Sequence, residues 1–148
     1  MQRARSETAK LQREASILMT TEMLLRQTSY DSMTMQAVAT AAGLAKGTIY
    51  LYFTNRESLV LAVHGRLFDR WIDQFAIHQP VLTGFDGFCR NFARHYGDDP
   101  LFLQLAGFAN SLLEPRLDRE AYIKNKRGMA RRVKRLAGLL CQQFSIAP

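Results

Sequence analysis

Residues 34–56, TMQAVATAAGLAKGTIYLYFTNR, decide the reading of this chain. Two short stretches of helical spacing lie either side of Gly43, and the second runs into an aromatic cluster of Tyr50, Tyr52 and Phe53. Thr34 can cap the first helix, because its hydroxyl can accept a backbone N–H two or three residues on. Met35, Val38, Ala39 and Ala42 then recur at helical intervals and make one apolar face. Ala39 and Ala42 are small enough to admit a second helix at close range. Gly43 can take positive φ at no steric cost, as a tight turn between helices demands. Leu44 and Ile49 are the apolar anchors of the second helix.

Between those anchors lie Ala45, Lys46, Gly47 and Thr48, all small or polar, at the start of the second helix. In a helix-turn-helix that end enters the major groove and its first residues meet base edges. Small side chains let the backbone approach DNA, Lys46 brings positive charge, and Thr48 brings a hydroxyl and a methyl. Tyr50, Tyr52 and Arg56 can reach phosphate oxygens, as Thr34 can from the other side; such contacts set register rather than sequence choice. The candidate DNA-binding set is therefore Thr34, Ala45, Lys46, Gly47, Thr48, Tyr50, Tyr52 and Arg56. The same spacing also fits a helical corner that binds nothing, with the three aromatics as core.

A longer pattern surrounds this stretch: Ile17-Leu18, Leu24-Leu25, Tyr30, Thr34-Met35, Val38-Ala39, Ala42-Gly43-Leu44, Gly47-Thr48-Ile49-Tyr50, Tyr52-Phe53, Asn55-Arg56-Glu57 and Leu59. From Ile17 to Leu59 the chain resembles the DNA-binding domain of the TetR family of bacterial transcriptional regulators. The resemblance implies an all-α protein with a three-helix DNA-binding head, its helices near 10–28, 34–41 and 45–51. A linking helix near 56–77 would join the head to a C-terminal helical body that senses a ligand and dimerises. The domains would be 1–54, with a basic N-terminal arm at 1–9, and 55–148. Five positions depart from the family pattern: Ser29 replaces a glycine, Thr20-Thr21 replace alanines, Ala45 replaces a capping hydroxyl, and Arg56 replaces a lysine. The family pattern continues with two further helices that pair with the partner subunit. Against it the body looks short or truncated at Pro148, or pairs through its remaining helices, or the chain is a monomer.

Within the body, Leu59, Val63, Leu67 and Phe68 face one way, followed by Trp71, Ile72 and Phe75. Pro80 and Thr83-Gly84 break the pattern. A helix over 85–96 carries Phe85, Phe88, Phe92 and Tyr96 at spacings of three and four. Asp98 or Asp99 can cap the next helix, with Pro100 in its first turn. Its sequence, LFLQLAGFANSLL, is apolar on every side, as in a buried helix. Glu114-Pro115 ends it, and a basic amphipathic helix follows over 116–144, with Tyr122, Met129, Val133, Leu136, Leu140 and Phe144 as its apolar stripe. In the TetR family such a body holds a pocket whose ligand alters the spacing of two heads. Phe88, Phe92, Phe102, Leu105, Phe108, Leu112 and Tyr122 could line it, with Gln104 or Asn110 as orienting groups; the same spacing suits core packing. An apolar pocket with few polar groups favours a hydrophobic or aromatic effector.

The net charge of +7 is unevenly spread over the 148 residues. Residues 1–56 hold seven Lys/Arg against four Asp/Glu, residues 57–115 four against seven, and residues 116–148 nine against two. The surplus in the last third reads as the solvated face of the final helix, with a second nucleic-acid surface as the alternative. Arg3, Arg5, Lys10 and Arg13 precede the helix-turn-helix, either as a minor-groove arm or as a disordered terminus. No apolar run reaches the roughly 18–20 residues that span a bilayer, and the first residues lack an apolar signal core. A cytoplasmic protein, at the nucleoid when bound to DNA, is expected. Cys89 and Cys141 are read as buried free thiols. His64, His78 and His95 have no metal spacing, and no nucleophile–base pattern or phosphate loop occurs, so no cofactor, metal or catalysis is expected. The expectation is a homodimeric regulator on double-stranded operator DNA, a repressor released by a small hydrophobic effector. The alternative is a helical adaptor that uses a TetR-like fold without sequence-specific DNA binding.

Overall fold

Ile17 and Leu25 lie on one side of the first helix, and burying that side, with Tyr30 just beyond its end, organises the head. The computed structural model describes residues 2–78 and 84–144, and no strand occurs among them. Helix α1 spans Gln2–Gln27, α2 Met35–Ala41, α3 Lys46–Tyr50 and α4 Arg56–His78. Helix α5 spans Gly84–Gly97, α6 Pro100–Phe108 and α7 Arg119–Phe144. A π-helical turn over Ala109–Leu113 and a 3-10 turn over Glu114–Arg116 join α6 to α7. The expected break at Pro80 and Thr83 lies outside the described residues. So do the side chains of Arg3, Arg5, Phe85 and Tyr96. The segment expected as a basic arm at 1–9 is instead the start of α1, helical from Gln2.

In the head, Ile17, Val38, Ala39 and Ile49 are wholly buried, with Met33, Met35 and Phe53 around them. The Ala37 N–H donates to the Thr34 hydroxyl at 3.1 Å, which caps α2. Gly43 has φ +65°, so the turn between α2 and α3 uses the left-handed region that a side chain rarely tolerates. Asn55 opens α4 with a reciprocal cap: the Ser58 N–H donates to Asn55 Oδ1 at 2.8 Å, and the Asn55 N–H to Ser58 Oγ at 3.2 Å.

Helix α4 is the spine that both halves share. Leu59, Val60, Val63, Ile72 and Phe75 are fully buried along it. On the body side, Trp71 meets Phe92 edge-on with centroids 5.3 Å apart, and Phe75 meets Phe88 at 5.9 Å. His64 is buried and stacks on Phe102 at 5.4 Å. Burial lowers its pKa to about 4, with the nearby Arg132 charge adding to the effect, so it is a neutral core ring at physiological pH. Helix α7 crosses α4 at Gly65. A Cβ there would sit 2.8 Å from the Arg132 guanidinium, which forms two bonds to Asp69 at 3.0 and 2.7 Å. Arg135 pairs with Asp73 one turn further along. The apolar stripe expected on α7 is only partly covered: Met129, Leu136 and Leu140 are half-buried, and Tyr122 and Val133 are exposed. Cys89 is exposed and Cys141 half-buried, which corrects their assignment to the core.

Two polar clusters bind head to body. In the first, Glu22 on α1 is buried and accepts from Arg70 at 2.9 and 2.9 Å and from Arg26 at 3.0 Å. Arg26 also grips Asp99 at 3.0 and 2.7 Å, and Asp99 caps α6 through the Leu101 and Phe102 N–H groups. In the second, the Arg56 guanidinium lies 4.3 Å over the Tyr30 ring and donates to the carbonyls of Tyr30, Asp31 and Met33 at 3.4–3.5 Å. Tyr30 donates to Glu57 at 3.1 Å, and Arg116 reaches the same carboxylate at 3.4 Å.

The clusters give two tests. Arg56→Ala should lower stability by about 1–2 kcal/mol through loss of the cation–π contact and the carbonyl clasp, read as an earlier urea midpoint with unchanged helicity. For Glu22, burial opposes ionisation, but the bonds from Arg70 and Arg26 outweigh it and hold the pKa below its ordinary 4.5. Its contribution is therefore complete above that value and is lost as pH falls through the depressed one. Glu22→Gln should cost about 2 kcal/mol at neutral pH and flatten the acid limb of the stability–pH curve.

Candidate nucleic-acid interface

Helix α3 has five residues, fewer than an isolated helix needs to persist in water. Ile49, 0% exposed, pins it to the head core, and the Phe53 N–H continues it by bonding the Ile49 carbonyl at 3.0 Å. With one face so held, the other is left outward. Ala45, Lys46 and Gly47 are exposed, Thr48 is half-buried, and Tyr50 is 44% exposed. Ala45 stands at the N-cap with extended backbone and makes no side-chain cap bond. A Cβ at Gly47 would meet nothing within 4 Å, so that side of the helix is open. Thr34 is exposed at the N-terminus of α2.

Two candidates sit differently from that outward row. Tyr52 is half-buried and turned toward the seam between α1, α4 and α7. Arg56 is spent on Tyr30 and the three carbonyls described above, so its charge is held back from the surface that α3 presents. Leu51, which the sequence reading passed over, is 80% exposed beside Tyr50. The alternation in Ile49-Tyr50-Leu51-Tyr52-Phe53 carries the signal: once Ile49 and Phe53 are core, one turn apart, Leu51 must project away.

The body residues named as pocket lining are mostly packed on one another. Phe102 and Leu105 are core, 3% and 0% exposed. Phe88 and Phe92 are half-buried within the aromatic cluster on Trp71 and Phe75. Phe108 leans on Tyr30 at 5.9 Å, and Leu112 is half-buried against the core. Tyr122 is 42% exposed on α7, and Gln104 and Asn110 are exposed. None of the seven lines the cleft of about 520 Å³ that opens between α1, α4 and α7. No metal-binding cluster occurs among the described residues, and no helix among them is long and apolar enough to cross a membrane.

Comparison with known proteins agrees with this architecture. Residues 17–63 match the bacterial regulatory proteins of the tetR family, and residues 65–148 match the tetracyclin repressor-like C-terminal domain. A putative TetR-family transcriptional regulator from Mesorhizobium loti MAFF303099 superimposes with a TM-score of 0.64 at 19% identity, over 92% of this chain and 68% of its own. The fatty acid degradation regulator FadR from Bacillus halodurans does so with a TM-score of 0.58 at 18% identity, over 92% of this chain and 72% of its own. At such identities these two likenesses show the fold alone. No curated protein matches the chain. The two family matches together run from the middle of α1 to the end of the chain, and they divide where the head gives way to α4's body half. This chain belongs to the TetR family of bacterial regulatory proteins and is a DNA-binding transcriptional regulator rather than an enzyme.

Proposed function

We propose that the protein is a dimeric repressor that sets one α3 in each of two successive major-groove faces and is released by a small effector. The observation that carries this reading is the outward row Ala45, Lys46, Gly47 and Tyr50 on a helix whose opposite face is locked by Ile49. Lys46 and Tyr50 reach the phosphate rails, Thr34 grips from the N-terminus of α2, and Ala45, Gly47 and Thr48 face base edges. Leu51 adds an apolar contact suited to a thymine methyl or a sugar. Tyr52 and Arg56 act at one remove, by fixing how α1 and α4 carry α3. Residues 1–54 form the DNA-binding unit and residues 55–148 the sensing and pairing unit. Two heads are needed because one alone makes too few phosphate contacts for tight binding at cellular salt. A largely apolar effector that shifts α4 would move the heads, since α4 belongs to both units.

A duplex enriched from a random pool provides the operator for a gel-shift series across salt. Lys46→Ala should weaken binding and reduce the slope of log affinity against log salt by about one. Tyr50→Ala should weaken binding with intact helicity, whereas Arg56→Ala should leave the slope unchanged. Equal binding by Lys46→Ala, Tyr50→Ala and the parent chain would remove α3 from the interface. Sedimentation of the protein with that duplex should give two chains per operator.

A further inference from the structure

The cleft between α1, α4 and α7 has walls of unlike character. Leu18, Tyr52, Phe53, Leu61 and Leu117 supply apolar surface at its floor and head end. Charged side chains crowd its rim, and their internal bonds decide which remain available. Asp69 is spent on Arg132. Asp118 is spent on the Ala121 N–H at 2.8 Å and the Thr54 hydroxyl at 3.0 Å. Arg66 leans on the Ala15 carbonyl at 3.3 Å and stands 3.9 Å from Glu22, a carboxylate already held by Arg70. Lys124 and Arg131, two turns apart on α7, have no ion-pair partner among the described residues. Glu14 and Glu120 are the acids left facing them.

With Asp69 paired to Arg132, the cations Arg66, Lys124 and Arg131 stand against Glu14, Asp118 and Glu120, because the neutral donors on Asp118 leave its charge in place. The wider field tips this balance toward the cations, because residues 116–148 hold nine Lys/Arg against two Asp/Glu. Arg127 and Lys134 continue the ridge of Lys124 and Arg131 at spacings of three and four, on the same side of α7. Such a field concentrates anions at the mouth of a half-open site. A volume of about 520 Å³ falls within the range of small-molecule pockets.

We propose that this cleft binds a small anionic amphiphile: its apolar body lies on Leu18, Phe53 and Leu61, and its acidic group lies between Lys124 and Arg131. The site is distinct from the aromatic packing of α4, α5 and α6. A ligand there bears on both the head and α7, next to the Thr54–Asp118 and Asn55–Arg116 bonds that close the seam. It rests on the regulatory reading only for that consequence; binding itself is measured without DNA.

The test uses 8-anilinonaphthalene-1-sulfonate as a fluorescent anionic probe on the full chain, with octanoate, octanol and octylammonium as competitors. The probe should bind at one site per chain, more weakly as salt rises, and octanoate should displace it better than octanol or octylammonium. Lys124→Glu with Arg131→Glu should weaken the probe about tenfold or more, while Arg127→Glu with Lys134→Glu, the same charge change outside the cleft, should stay within about twofold. Ala121→Trp should abolish binding by filling the cleft. Helicity and melting temperature are followed in each variant, so that a misfolded protein is recognised. Equal losses from both charge-reversal pairs, displacement by octylammonium as good as by octanoate, or undiminished binding in a folded Ala121→Trp would overturn the site. Loss of operator binding by the parent chain would instead count against the repressor reading and leave the cleft assignment standing.

Discussion

The insertion of Ile49 into the head core is the contact on which the interface depends. A helix of five residues cannot meet the entropy of its own nucleation, so α3 exists only because Ile49 and Phe53 are buried with Val38 and Ala39 beneath it. The same burial fixes the rotation of α3. With Ile49 inward, Lys46, Gly47 and Tyr50 must lie outward, and no separate device is needed to aim them. Gly43 sets the angle of approach, because its left-handed backbone delivers Leu44 and Ile49 to the face formed by Ala39 and its neighbours. Recognition geometry is therefore a by-product of core packing.

Head and body are joined by two means of different strength. The apolar length of α4 is continuous through both, and its buried Leu59, Val63 and Ile72 make it rigid. The flanking bonds are polar and partly solvated: Arg26 to Asp99, Arg116 to Glu57, Thr54 to Asp118. Partly exposed pairs of this kind contribute little each. They can be exchanged for other contacts at small cost, whereas the α4 spine cannot. A seam built this way lets the head change its tilt about α4 without unfolding, which a ligand-responsive regulator requires.

Much of this was legible in the sequence. The helix-turn-helix, the capping by Thr34 and by Asp98 or Asp99, the Gly43 turn and a helix over 100–113 follow from periodicity and capping chemistry, which are local rules; the linking helix near 56–77 follows from the family resemblance. What escaped was the identity of each side chain's partner. Arg56 carries a charge near an expected DNA surface, yet Tyr30 and three carbonyls of the α1–α2 loop claim it. Those carbonyls come together only in the fold. The residues named as pocket lining show a similar ambiguity. Phe88, Phe92 and Phe102 have helical spacing that serves a core and a cavity equally, and Trp71 and Phe75 of α4 fill the space between them. Leu51 is the opposite case: its outward direction was written in the helical spacing of Ile49 and Phe53, but the reading passed over it.

Helix α7 shows how composition misleads when taken apart from geometry. Its eight basic residues look like one surface, yet they divide by partner. Arg132 and Arg135 are neutralised against α4, and Lys126 against Glu114. Of the rest, Lys124, Arg127, Arg131 and Lys134 lie on a single ridge, and two of them overhang the cleft. A purely solvated face has no need to concentrate its unpaired cations beside a seam where head and body meet. The apolar Tyr122 and Val133 project on another side of the same helix, so charge and exposed apolar surface are kept apart on α7. That separation leaves the ridge accessible in a dimer built on the apolar side, and with it the cleft that the ridge guards.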